Sequence, residues 1–123
     1  MSLMAAAMCG VDAPETDQPL GIKSRDKLRE LLKNGKVEFY AIEQDRYGRT
    51  IAELAVTTGD PKEIFVNEKM VSLGMAYHYA KYSGNCPNKA AIEAAEEVAR
   101  TGRFGVWRTA GAVKPWDYRK TQN

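Results

Sequence analysis

Apolar positions change their period along this chain, and the changes mark out its elements. Within 24–34, Leu28, Leu31 and Leu32 recur at helical spacing while Lys27, Arg29, Glu30 and Lys33 cover the other face, a pattern that predicts an amphipathic helix. Asn34-Gly35 supplies its stop. From Lys36 the period falls to about two, with Val37, Phe39 and Ala41 on one face of 36–43, and the run 50–57 behaves alike. The polar stretch between them contains Gly48, so the two runs are expected to pair as an antiparallel hairpin. A third short strand, 63–66, follows the turn residues 58–61.

A short helix is expected from Asn67 with Met70, Val71 and Leu73 inward, then a strand over 75–79. The segment 83–88 reads as a loop, and 89–101 as a helix with Ala91, Ala94, Ala95 and Val98 on its apolar face, closed by Gly102. Phe104 and Trp107 are expected to dock that helix, and the remainder reads as a tail with Trp116 and Tyr118 pinned back. Strands and helices without strict alternation imply an α+β fold, and short closely spaced strands imply a small barrel carrying about three helices. Only three clear strands are visible, with none before the first polar motif at Asp12, so the barrel is expected to be incomplete at its N-terminal side. The divisions that follow are 1–8 as a truncation edge, 9–109 as the folded domain and 110–123 as a basic C-terminal tail.

Composition bounds this picture without redirecting it. The 123 residues suffice for one core. No apolar run approaches the about 18–20 residues of a membrane span. The first eight residues lack a basic stretch and make a poor secretory signal, which leaves the compartment open. Cys9 and Cys86 are the two cysteines and His78 the one histidine. Their spacing indicates neither a disulfide framework nor a zinc site; two free, partly buried thiols are expected, with a single bridge as the alternative. The net charge of +2 is unevenly placed: residues 100–123 carry six basic groups against one acid, while 1–99 are net acidic. An acidic body beside a basic tail suits a site that receives a polyanion, and equally a merely solvated tail.

Two short motifs carry the chemistry. Asp12-Ala13-Pro14-Glu15 sets two carboxylates on a Pro-fixed turn, and Asp45-Arg46-Tyr47-Gly48-Arg49 sets an arginine on a hairpin rim. A hard-cation ligand, a base for water and a cationic donor for developing phosphate charge are what phosphodiester cleavage requires. Taken singly, each motif is also an ordinary turn, with Asp12 capping local amides and Arg49 either an exposed hairpin charge or an ion-pair partner of Glu15. Tyr77, Tyr79 and Tyr82 read as packing residues or as stacking platforms for bases. His78 reads as structural and Trp107 as core.

The succession Gly10-Val11-Asp12-Ala13-Pro14-Glu15, Gln18-Pro19-Leu20-Gly21, Asp45-Arg46-Tyr47-Gly48-Arg49, Val66-Asn67-Glu68, Leu73-Gly74-Met75-Ala76-Tyr77, residues 95–100 and Gly105-Val106-Trp107 resembles the thermonuclease family, typified by staphylococcal nuclease, from about Cys9 to Trp107. The resemblance implies a five-stranded OB-type barrel with three helices and a calcium-dependent nuclease that cleaves DNA and RNA to leave 3′-phosphate ends. It implies Asp12 and the carbonyl of Ala13 as calcium ligands, Glu15 as general base and Arg49 as the arginine stabilising the transition state. Arg46, Tyr47 and Tyr82 match positions near the bound nucleotide. Two departures stand out. The family's first calcium aspartate lies in an Asp-Gly-Asp-Thr turn that has no counterpart here, and its other catalytic arginine corresponds to Ala7. The expectation is therefore a nuclease domain weakened or silenced in this form, or, alternatively, a catalytically degenerate OB-type module that binds nucleic acid or protein. Uncovered strand edges further imply homo-oligomers formed by strand exchange or edge pairing.

Overall fold

The computed structural model describes residues 2–3, 6–59 and 62–122. The architecture is α+β, built on a mixed sheet. Its strands are β1 (Ser2–Leu3), β2 (Ala6–Met8), β4 (Lys36–Gln44), β5 (Thr50–Gly59) and β6 (Lys62–Phe65), in the order β1-β2-β5-β4 with β6 also on β5. The hairpin predicted from the sequence is the β4–β5 pair, antiparallel from Lys36↔Thr57 to Gln44↔Thr50 with an irregularity at Ala41/Glu43. The other edge of β5 is shared. Its first residues pair in parallel with β2, and its later ones pair antiparallel with β6. A strand thus precedes the Asp12 motif, contrary to expectation; three residues of Ala and Met are too few to declare a period.

A second, two-stranded sheet pairs β3 (Val11–Asp12) with β7 (Tyr77–His78) in the register Val11↔His78 and Asp12↔Tyr77. The helices are α1 (Gly21–Lys33), α2 (Val66–Ser72), α3 (Lys89–Gly102) and α4 (Pro115–Lys120). Helix α1 buries Ser24, Leu28 and Leu31 as its leucine spacing requires, and begins earlier than Ser24. The core joins Leu28 and Leu31 to Leu54, Val56, Val66, Met70, Val71, Ile92 and Ala95.

Two apolar faces differ from expectation. In α3 the buried stripe is Ile92, Ala95 and Ala99, and Val98 is 56% exposed. The alanines admit several phases, and burial of the larger Ile92 decides among them. In β4, Val37 and Phe39 share a face but remain 42% and 48% exposed, because nothing among the described residues covers it.

One buried polar side chain ties these parts together at the site's edge. Asn67, fully buried in the first turn of α2, accepts from the Leu54 amide at 2.9 Å and donates to the carbonyls of Cys9 at 3.1 Å and Ala52 at 3.3 Å. Both ends of its amide are satisfied, so its burial fixes β5 to the strand leading into Asp12 rather than costing stability.

Candidate active site

The loop from Asp12 to Gly21 is held from both sides. The Glu15 amide donates to Gln18 Oε1 at 2.9 Å, and the Gln18 amide donates back to the Glu15 carbonyl at 2.8 Å. Helix α1 then starts hard against this turn: a Cβ on Gly21 would lie 1.9 Å from the Glu15 carbonyl oxygen. Only glycine permits that approach, so the first turn of α1 sets the position of Glu15. Asp12 is fixed by its pairing in β3 and by the Tyr79 amide, which donates to the Gly10 carbonyl at 2.8 Å.

The two carboxylates converge. Arg119, from α4, donates through Nη2 to Asp12 Oδ2 at 2.6 Å, and through Nη1 to Asp12 Oδ1 at 3.0 Å and Glu15 Oε2 at 3.3 Å. The Asp12 side chain is 4% exposed, those of Glu15 and Arg119 36% and 39%. Hydrogen bonding to Asp12 holds the Arg119 guanidinium above its ordinary range, outweighing the opposite effect of partial burial. Arg119 is not legible as a site residue in the sequence. It stands more than a hundred positions from both acids, and a single arginine in a basic tail carries no local signal.

Arg49 stands in the β4–β5 turn. It pairs with Asp45, not with Glu15, through Nε to Oδ2 at 2.8 Å. Tyr47 and Tyr82 are 73% and 57% exposed, with Arg46 over the Tyr47 ring at 5.1 Å and Lys81 over the Tyr82 ring at 5.5 Å. Tyr82 joins the site through Tyr79, whose ring it meets edge-on at 4.9 Å. The hairpin in turn is tethered to the loop after Tyr82, since Asn85 Nδ2 donates to Glu43 Oε1 at 3.1 Å. Ala13 is fully buried.

The remaining sequence candidates are structural. His78 donates its amide to Glu96 at 2.8 Å, and its Nε2 lies 2.9 Å from Ser83 Oγ. Trp107 meets Tyr77 edge-on at 5.4 Å. The reading of Cys9 and Cys86 as free thiols is overturned: they form a disulfide with Cα atoms 5.8 Å apart. Spacing alone could not reveal it, because β3, β7 and the loop 83–88 must assemble first.

Residues 6–109 match the family model described as staphylococcal nuclease homologue. The chain is 35% identical over 117 residues to a micrococcal nuclease of Shigella flexneri, covering 92% of this chain and 66% of that protein. It is 30% identical over 115 residues to a staphylococcal-like nuclease of Arabidopsis thaliana, covering 94% of this chain and 33% of that protein. A probable staphylococcal-like nuclease of Oryza sativa subsp. japonica is 30% identical over 111 residues, 90% of this chain and 31% of that protein. The chain thus spans about a third of the length of these plant relatives.

Proposed function

The chain belongs to the staphylococcal nuclease family, and from that premise we propose that it hydrolyses phosphodiester bonds of DNA and RNA at the Asp12–Glu15 loop. The observation that carries this reading is the convergence of both carboxylates on one guanidinium, which sets the two acids at a common point. Glu15, the more exposed of the two, takes the proton of an attacking water as general base. Arg49 takes up charge on the phosphoryl oxygens. Its present pair with Asp45 is solvent-exposed on the arginine side, and pairs of that kind contribute about 0–1 kcal/mol, so exchange of Asp45 for a phosphate costs little. Tyr47 and Tyr82 offer ring faces to bases, with Arg46 beside the backbone.

Calcium is the cofactor that the family resemblance implies. Ca²⁺ takes about six to eight oxygen ligands. Among the described residues no three acidic, histidine or cysteine side chains group around one point, and Asp12 and Glu15 both accept from Arg119. In this arrangement the residues do not fit the ion, and no catalytic step is assigned to it. The same observation favours a second reading, a binding module that holds nucleic acid without cutting it. We also propose that copies of the chain associate through β4, which is paired on one side only among the described residues.

Plasmid digestion with calcium and with chelator, by this chain and by Glu15→Gln, tests the assignment. Cutting that falls about 100-fold or more in Glu15→Gln is expected, and the chelator arm reads whether it needs calcium. Tight nucleic-acid binding with no cutting under any condition selects the binding module instead.

A further inference from the structure

The segment that carries Arg119 lies beyond the residues matched to the family, yet it docks on the site through several separate contacts. Trp116 stacks on Tyr79 with ring centroids 4.8 Å apart and planes 8° from parallel. Tyr118 donates to Asp17 at 2.6 Å, and Gln18 donates to the Val113 carbonyl at 3.1 Å. Lys114 lies 5.2 Å from the centre of the Tyr77 ring. Arg119 completes the set on Asp12 and Glu15. Apart from Trp107, whose ring Lys114 also approaches at 5.4 Å, the surfaces it meets are the Asp12–Gln18 loop and the strand β7 with the residue beside it. The tail therefore rests on the very elements that present the two acids.

Charge decides what the Arg119 contact does. Two carboxylates facing one point repel each other unless a cation sits between them, and a guanidinium meets such oxygens with a fixed fork of donors. With Arg119 engaged, the three groups sum to one negative charge, so they repel a phosphate rather than hold it. That excludes Arg119, in this position, as a phosphate anchor. Its role is that of a resident counter-cation. Helix α4 is six residues long, far below the about 12–15 at which an isolated helix becomes marginal in water, so its order depends on these docking contacts.

We propose that residues 113–122 form a displaceable latch, in which Arg119 occupies the place between Asp12 and Glu15 that a divalent cation would take, so that latch closure and cation binding exclude each other. The inference rests on the proposed role of Asp12 and Glu15 as site carboxylates. It makes the closed chain a self-inhibited form. Solvent reaches Glu15 and Arg119, so a competing cation has a path of entry without unfolding of the core.

The test uses the full chain with Ca²⁺ as the probe, and two variants, Arg119→Gln and Trp116→Ala. Hydrogen exchange is followed in the α4 amides, and Ca²⁺ binding by calorimetry. In the wild type, Ca²⁺ is expected to release α4, raising exchange in residues 115–120 while the core amides stay protected. Both variants are expected to exchange freely in α4 without Ca²⁺, and to bind Ca²⁺ about tenfold more tightly, the gain expected when about nine-tenths of the molecules are closed. The idea is overturned by α4 amides that stay protected at saturating Ca²⁺, or by variants with a released helix that bind Ca²⁺ no better. The wild-type exchange comparison holds even where a variant does not fold. Calcium-dependent cutting with α4 still protected would sink the latch alone; an α4 that opens with calcium in a chain that never cuts would sink the nuclease reading alone.

Discussion

Asp45 organises the hairpin tip through three acceptances. Its Oδ1 takes the amides of Tyr47 and Arg49, both at 2.9 Å, and its Oδ2 takes Arg49 Nε at 2.8 Å. Desolvation pushes this carboxyl up, but the Arg49 side chain and the two amides outweigh it and hold it below its ordinary value of 3.8. A depressed folded value means that the turn's stabilisation is fully present above pH 3.8 and is lost as pH falls through the lower, folded value. A carboxyl carbon NMR titration should therefore place the Asp45 midpoint below 3.8 in the folded chain, and Arg49→Gln should move it upward. A midpoint unchanged by that substitution would mean that Arg49 is not held by Asp45 in solution, removing the ion-pair constraint on its approach to substrate. At this scale the sequence was legible where a motif is local: the turn at 45–49 and the carboxylates at 12 and 15 each lie within a few residues. Arg119 was not, because its meaning arises only after the tail has folded back.

At the scale of elements, alternation tells which residues share a face and is silent about what covers it. The Val37–Phe39 face of β4 was legible as a face, and its exposure was not. Helix α1 was legible through its leucines, whereas the alanine-rich α3 could be rotated without violating any spacing. Helix α4 reads as tail in the sequence because six residues around Trp116 and Tyr118 cannot show a period. The exposed strand carries a consequence. Its outer edge offers a row of amides and carbonyls that an identical row in antiparallel orientation satisfies, and a two-fold pairing repeats every favourable contact. Lys36, Glu38 and Glu43 oppose this by adding charge along the edge. If apolar contact at Phe39 prevails, sedimentation should show a dimer whose dissociation constant rises at least about tenfold in Phe39→Lys, equivalent to about 1.4 kcal/mol of association free energy. A wild-type chain that sediments as a monomer at all accessible concentrations would show that the charges prevail.

For the whole molecule, the decisive closure is the Cys9–Cys86 disulfide, which joins positions 77 apart in sequence. It ties the strand that leads into Asp12 to the loop that leads into α3, spanning both sheets. The two sides of this bridge are not equally dependent on it. Cys9 is also held by backbone bonding to Ala52 at 2.8 Å and by Asn67 at 3.1 Å. On the other side, Asn88 donates to buried Glu53 at 2.7 and 2.9 Å, fixing the start of α3, whereas the backbone bonds of Tyr82 and Ser83 are local and the segment's other ties are side-chain ones, Ser83 to His78 and Asn85 to Glu43. Opening a loop of this length frees enough entropy in the unfolded chain to cost about 4 kcal/mol, and measured losses run about 2–5 kcal/mol. The double variant Cys9→Ser/Cys86→Ser should accordingly lose about 2–4 kcal/mol in urea unfolding, as should the reduced wild type. Hydrogen exchange should rise first over residues 80–86, while 9–12 stays protected by its strand partners and Asn67. Exchange that rises first at 9–12 would mean that the disulfide, rather than the Asn67 amide, holds the carboxylate loop in place, and the site would then depend on the redox state of its surroundings.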